Sequence, residues 1–286
     1  MSSGSTGPSP TAYGAAVHRA IHQDLEGGLI LADPLAWPIL GVSQDEREQM
    51  VARARDQDRP TLRTFIAMRH RFADEVVAQG ILRGVDQVVL LGSGLDTFAY
   101  RTLRPDVKIF EVDRPEVISW KRQALDRAGI PIPDQVYLVQ ADLVGDDWLQ
   151  SLAEAGMVRR PTTVLWLGVV PYLDPVTVRA MLAALATIPG VEVVFDYPTR
   201  GPGLDAESAT LRDRLGNRVA ALGEPFRSAW EPVELHALLR DFGFDEIEDL
   251  GAEELADRYL RRDSLRRAGG GAGRMIRARS TRWGNG

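Results

Sequence analysis

Short unbroken apolar runs alternate along most of this chain with longer stretches in which apolar positions recur every three or four residues. The unbroken runs have the pattern of strands covered on both faces of a parallel sheet. They predict strands at 87–91, 107–112, 136–140, 162–167 and 191–196, and later at 244–250 and 274–280. The spaced stretches predict helices at 95–103, 115–128, 146–155, 175–187, 231–241 and 252–260. Asp174-Pro175 supplies a cap and a first-turn proline for the fourth of these. This alternation specifies an α/β sheet with helices on both faces. The segment before the first strand is too long and too helical for a linker. It predicts helices at 11–26, with Thr11 as cap, at 44–56 and at 61–83. The chain therefore divides into a disordered leader at 1–10, a helical cap at 11–84 and a sheet core at 85–286. The polar stretch 199–228 is read as an insertion that joins the cap.

Chemistry concentrates where the predicted strands end. Val88 to Leu91 runs directly into Gly92-Ser93-Gly94, and a helical pattern follows. Strand, glycine turn and helix mark the ligand end of a doubly wound sheet. The turn lacks the third glycine of the dinucleotide fingerprint, since Thr97 stands there. Taken alone it points to a nucleotide-like cofactor or to a tight turn without a ligand. The second strand ends in Glu111-Val-Asp113, and Asp113 lies 19 residues after Gly94. That is near the spacing at which a carboxylate meets a ribose hydroxyl pair. Glu111 points to the same face, but Asp113 is last on the strand and is the better candidate. The third strand leads into Asp142-Leu143, a carboxylate for an adenine amino group beside an apolar residue for the ring.

These motifs resemble the leucine carboxyl methyltransferase family. Gly-Ser-Gly-Leu-Asp-Thr-Phe-Ala-Tyr-Arg (92–101), Phe-Glu-Val-Asp-Arg-Pro-Glu-Val (110–117), Ala-Asp-Leu (141–143) and Gly-Val-Val-Pro-Tyr-Leu (168–173) carry the resemblance. They are most similar to its bacterial branch of S-adenosylmethionine-dependent O-methyltransferases. The resemblance runs from about Thr11 to about Tyr259. It implies a class I methyltransferase (Rossmann-like) fold, with a doubly wound, mostly parallel seven-stranded sheet, and S-adenosyl-L-methionine as cofactor. It also implies roles for individual residues. Arg69 would grip the cofactor carboxylate, Gly92 and Gly94 would pass under the methionine part and ribose, Asp113 would bind the ribose, and Asp142 and Leu143 the adenine. Two positions depart from the family pattern. Leu167 stands where the family has a glutamate beside the cofactor's amino-acid end, and Phe98 where an arginine is frequent.

Composition narrows the surroundings. The chain has 286 residues, net charge −6 and no cysteine, which excludes disulfides and thiolate metal sites. The first ten residues lack a signal peptide's apolar core, and no apolar run approaches a membrane span. The expectation is a cytoplasmic enzyme with a small-molecule acceptor, without nucleic-acid or membrane partners, and with no metal. Residues 258–286 hold nine arginines against one aspartate. This basic stretch reads as a glycine-rich loop at 269–273 followed by the last strand, and Trp283 is its single aromatic beyond Tyr259.

Methyl transfer from a sulfonium is an in-line displacement, so the protein chiefly orients the acceptor and excludes water. A carboxylate acceptor needs no base, whereas a hydroxyl benefits from one. The chain has four histidines. His18 and His22 share a face of the first helix, and that face is either solvated or the polar lining of the cap. With Tyr172 they are the catalytic candidates. Asp196 and Tyr197 follow the fifth strand, where loop position favours a role in the pocket. The resemblance implies O-methylation of a carboxyl or hydroxyl oxygen in bacterial secondary metabolism. Leu167 keeps open a rearrangement or cyclisation without methyl transfer, and the lone glycine turn keeps open a dinucleotide-dependent oxidoreductase.

Overall fold

The computed structural model describes residues 7–56, 61–102, 104–145, 147–201, 206–260 and 273–281. Seven strands form one sheet: β1 (Gln87–Leu91), β2 (Lys108–Asp113), β3 (Val136–Gln140), β4 (Thr163–Trp166), β5 (Glu192–Pro198), β6 (Glu246–Leu250) and β7 (Gly273–Arg279). Their order is β3-β2-β1-β4-β5-β7-β6, and β7 alone runs antiparallel to its neighbours. The chain winds outward from β1 through β2 to β3, then returns to the other side of β1 with β4. The reversal opens a crevice at the carboxyl ends of β1 and β4, the usual ligand position in such sheets.

Strand periodicity explains the two cores. Val89 and Leu91 face one side with Phe110, Val112, Val164, Trp166, Val193 and Phe195. Val88 and Leu90 face the other with Ile109, Leu165 and Val194. The first side is covered by α6 (Trp148–Glu154), α7 (Pro175–Leu185) and α9 (Pro232–Asp241), through residues such as Leu152, Leu182 and Leu239. The second is covered by α3 (Thr61–Leu82), α4 (Phe98–Arg101) and α10 (Ala252–Tyr259). The fifth helix, α5 (Pro115–Arg127), sends Lys121 to Glu111, a fully buried pair at 2.8 Å. Glu111 is thus consumed inside the fold, which leaves the strand-end position to Asp113.

Several expectations about the amino-terminal part change. Helix α1 (Pro10–Leu25) starts earlier than predicted, because the Ser9 hydroxyl, not Thr11, caps it by accepting from the Ala12 amide. Residues 1–6 of the expected leader lie outside the described residues, whereas Pro8, Ser9 and Pro10 line the crevice. Helix α2 (Gln44–Asp56) has no buried residue. Helix α3 is not a cap element throughout. Its Met68, Phe72, Val76 and Val77 stripe lies on the sheet, where apolar surface demands burial. Helix α4 is shorter than the predicted 95–103. Asp96 accepts from the Phe98 amide and donates its own amide to Ser93, so a turn uses the residues before Phe98. The stretch 199–228 contains α8 (Ala206–Ala221). The expected glycine-rich loop lies outside the described residues apart from Gly273, as does Trp283. The arginines of β7 face acids: Arg274 meets Asp249 at 2.8 Å and Arg277 meets Glu192 at 2.5 Å, while Arg279 pairs with Glu246.

Candidate functional site

The crevice widens into a cavity of about 1320 Å³, floored by the sheet's carboxyl edge and walled by α1, the start of α3 and α8. Gly92, Gly94, Asp113, Asp142, Leu143, Arg69, Leu167, Tyr172 and His18 all line it, and His22 does not. The structure therefore brings together nine of the ten residues picked from the sequence.

At Gly92 the backbone is left-handed, with φ +69°, and an added Cβ would lie 2.5 Å from Val169 Cγ2. No other residue fits there. Gly94 donates its amide to Asp113 Oδ2 at 2.8 Å, and Arg114 donates to Oδ1 at 2.8 Å. Burial raises the Asp113 pKa, against the pull of these two amides. Asp113 is thus a carboxylate held at the floor of the cavity beside the glycine loop. Asp142 accepts from the Val144 amide at 2.9 Å, and half-buried Leu143 packs on the adjoining core.

A buried polar network ties the glycine loop to the cap. Arg19 of α1 donates to the Leu95 carbonyl at 2.6 Å and pairs with Asp33 at 2.7 Å. Asp33 also accepts from the Thr97 hydroxyl at 2.6 Å and from the Leu35 amide at 3.1 Å. The residue that breaks the dinucleotide fingerprint is thus a strut between loop and cap. Burial would raise Asp96, but the hydrogen bond and charge of His70, aided by Arg19 and Arg101, hold it well below the usual carboxylate range.

Arg69 reaches the cavity from α3. Its Nη1 donates to Asp196 Oδ2 at 3.1 Å, and Asp196 Oδ1 accepts from the Gly168 amide at 2.5 Å. Gly168 has φ +70°, and an added Cβ would lie 2.8 Å from Arg69 Nη1. The sequence flagged Asp196 only as a loop residue after the fifth strand, whereas it lies within β5, paired with Met275 of β7. Its partnership with Arg69 spans 127 residues and has no local signature. Arg69 Nε is buried and meets no acceptor among the described residues.

The catalytic candidates separate. His22 is fully buried in the cap, where Nδ1 donates to Glu26 at 3.1 Å and Nε2 accepts from the Ile30 and Leu31 amides. Both nitrogens are used to fold the turn after α1, so His22 is structural. His18 faces the cavity, and its buried Nδ1 has no partner among the described residues. Burial, then the charges of Arg218 and Arg63, lower its pKa to about 4. It is a neutral imidazole near pH 7. Tyr172 lies in the turn after β4, with its ring 5.6 Å from that of Phe226. Burial raises its pKa, against a hydrogen bond with Thr11. Arg71 is exposed and pairs with Glu75, while His236 bonds Asp249 outside the cavity. Among the described residues no group of acids and histidines could hold a metal ion. Nor is any helix long and apolar enough to cross a membrane.

The donor set fits S-adenosylmethionine: strand-end carboxylates for hydroxyl and amino groups, a glycine loop without side chains, and an arginine with a buried unpartnered donor. A doubly wound sheet with this constellation at its switch point defines the class I S-adenosylmethionine-dependent methyltransferases. Comparison with known proteins agrees. The family model for leucine carboxyl methyltransferases matches residues 12–186, and the chain belongs to that family. A protein of Saccharopolyspora erythraea, provisionally named an S-adenosyl-L-methionine-dependent methyltransferase, is 31% identical over 242 residues, covering 82% of this chain and 74% of its own. The similarly named YktD of Bacillus subtilis is 28% identical over 203 residues, covering 69% and 67%. A solved structure from Thermobifida fusca, also provisionally named a methyltransferase, superposes with TM-score 0.59 at 18% identity, covering 97% of this chain and 96% of that one. The protein is an S-adenosylmethionine-dependent methyltransferase, and the dinucleotide-dependent oxidoreductase is set aside.

Proposed function

We propose that this methyltransferase acts on an oxygen, carboxyl or hydroxyl, of a small molecule of the kind secondary metabolism supplies. The cavity carries this reading: at about 1320 Å³ it exceeds what a cofactor fills, and it continues from Gly92 and Asp113 to the wall formed by α1 and α8. That wall, with Phe226 beyond the end of α8, mixes apolar Leu211 and Leu215 with Arg214 and Arg218, which suits an amphipathic acceptor.

Bound S-adenosylmethionine supplies an electrophilic methyl on a sulfonium centre. Asp113 would accept from the ribose hydroxyls, and Asp142 with Leu143 would receive the adenine. Arg69 would take the cofactor carboxylate. The enclosing helices exclude water and hold the acceptor in line. A carboxylate acceptor requires only positioning. For a hydroxyl acceptor, His18 and Tyr172 on the cavity wall would hold the oxygen by hydrogen bonds, and the depressed pKa of His18 makes it a weaker base than a free imidazole.

Incubation with methyl-labelled cofactor and a panel of amphipathic carboxylic acids and phenols tests this. A product heavier by one CH₂, released as an ester or ether, is the expected result. Conversion of an acceptor without change of mass would instead support a rearrangement. His18→Gln separates the acceptors: it slows methylation of a phenol and spares that of a carboxylate.

A further inference from the structure

We infer that Asp196 binds the ammonium group of the cofactor's amino-acid end, beside Arg69, which takes the carboxylate. This rests on the reading of the cavity as the cofactor site. An α-amino acid presents a positive and a negative group on one carbon. Its complement is an acid and a base held side by side. Arg69 and Asp196 are such a pair, 3.1 Å apart, both buried and both on the cavity wall.

The sheet determines where the pair sits. β4 and β5 run parallel with Trp166 opposite Phe195, so the next residues, Leu167 just past the end of β4 and Asp196 still within β5, lie side by side at the carboxyl edge. Leu167 brings no charge to that edge. Asp196 does, and it is oriented at both oxygens, by the Gly168 amide and by Arg69 Nη1. Each carboxylate oxygen retains a lone pair for a further donor. The other cavity acids are committed elsewhere. Asp113 and Asp142 stand at the ends of β2 and β3, Asp96 faces the Phe98 amide and His70, and Glu224 accepts from the Thr11 amide. A buried ion pair is costly unless further hydrogen bonds complete it. Arg69 Nε still lacks an acceptor among the described residues, as expected of a pair built to receive a zwitterion.

Calorimetry with three ligands provides the test: S-adenosylhomocysteine, its des-amino analogue that keeps the carboxylate, and 5′-methylthioadenosine, which has no amino-acid end. Asp196→Asn should weaken S-adenosylhomocysteine by about tenfold or more, the worth of a charge-assisted bond. The other two ligands should change by less than about threefold. Adding Leu167→Glu to Asp196→Asn should restore much of the lost affinity, since that acid would lie at the same sheet edge. Equal losses for S-adenosylhomocysteine and the des-amino analogue would overturn the assignment, because Asp196 would then act only by positioning Arg69. Should Asp196→Asn fail to fold, Leu167→Glu alone decides. With Asp196 already serving the ammonium, a second acid repels it and one takes up a proton, so binding tightens little. A tenfold tightening would overturn the proposal. Wild-type protein that binds none of the three ligands would overturn the cofactor placement and the proposal with it. Intact wild-type binding with equal losses for all three overturns the Asp196 assignment alone.

Discussion

Asp113 holds its carboxylate between the amides of Gly94 and Arg114, so one side chain closes the glycine loop and lines the cavity. Asp113→Ala removes a charge-assisted acceptor, at about 1.5–3 kcal/mol per bond, and should raise the dissociation constant for S-adenosylhomocysteine at least tenfold. Unchanged affinity in calorimetry on a folded variant would reject the ribose assignment. His18 yields a prediction in pH. Its pKa of about 4 in the folded chain lies below its ordinary 6.5. The unfolded chain therefore protonates first as pH falls. Stability is retained above pH 6.5 and lost progressively towards pH 4, by up to about 3 kcal/mol. Urea midpoints at pH 7 and pH 5 should differ more for the native chain than for His18→Gln. Equal differences would show that burial does not depress this imidazole.

At the scale of elements, α1 and the glycine loop form one unit. Arg19 and Asp33 are 3% and 1% exposed and link α1, the turn after it and the segment Leu95–Thr97. Removing one partner strands the other's charge in the interior. Arg19→Met and Asp33→Asn should each cost about 3–5 kcal/mol, and the double variant less than their sum. Chemical denaturation checks this, and additive losses would mean the two groups do not interact. The same variants should weaken cofactor binding, because Arg19 also holds the Leu95 carbonyl. The length of α3 has a comparable logic. Its apolar stripe packs on the sheet while Arg69 and His70, between Met68 and Phe72, reach the cavity. One helix thus sets the distance between core and site.

For the whole molecule, the cofactor should act as a stabiliser, since the contacts proposed for it come from α3, the glycine loop and strands β2, β3 and β5. At about a hundredfold excess over the dissociation constant, S-adenosylhomocysteine should add about 2.7 kcal/mol. For a chain of this size that raises the melting temperature by roughly 4–5 °C. Thermal-shift measurements with NAD at the same concentration should show no such rise. An equal rise with NAD would contradict the specificity drawn from Thr97 and Asp142. Charge is also distributed at this scale. The arginines of β7 read as a basic run in the chain, yet in the sheet they face Glu192, Glu246 and Asp249.

The strands, their alternation with helices and the carboxylates at their ends were legible because each rests on local rules. Apolar runs need burial on two faces, glycines permit the turn at Gly92, and Asp113 follows Gly94 at a spacing set by one βαβ unit. The family and its cofactor followed from those same local motifs. What lay outside local pattern was decided by packing. Helical periodicity placed His18 and His22 on one face. It could not show that the turn after α1 folds back to place the Ile30 and Leu31 amides on His22 while leaving His18 open to the cavity. Nor could spacing reveal that Arg69 meets Asp196 across 127 residues, since that contact exists only once α3 lies on the sheet and β5 joins β4. Period and turn chemistry are properties of neighbours in sequence. Pairing of charges and the choice of which histidine faces a cavity depend on distance in space, which only the tertiary structure sets.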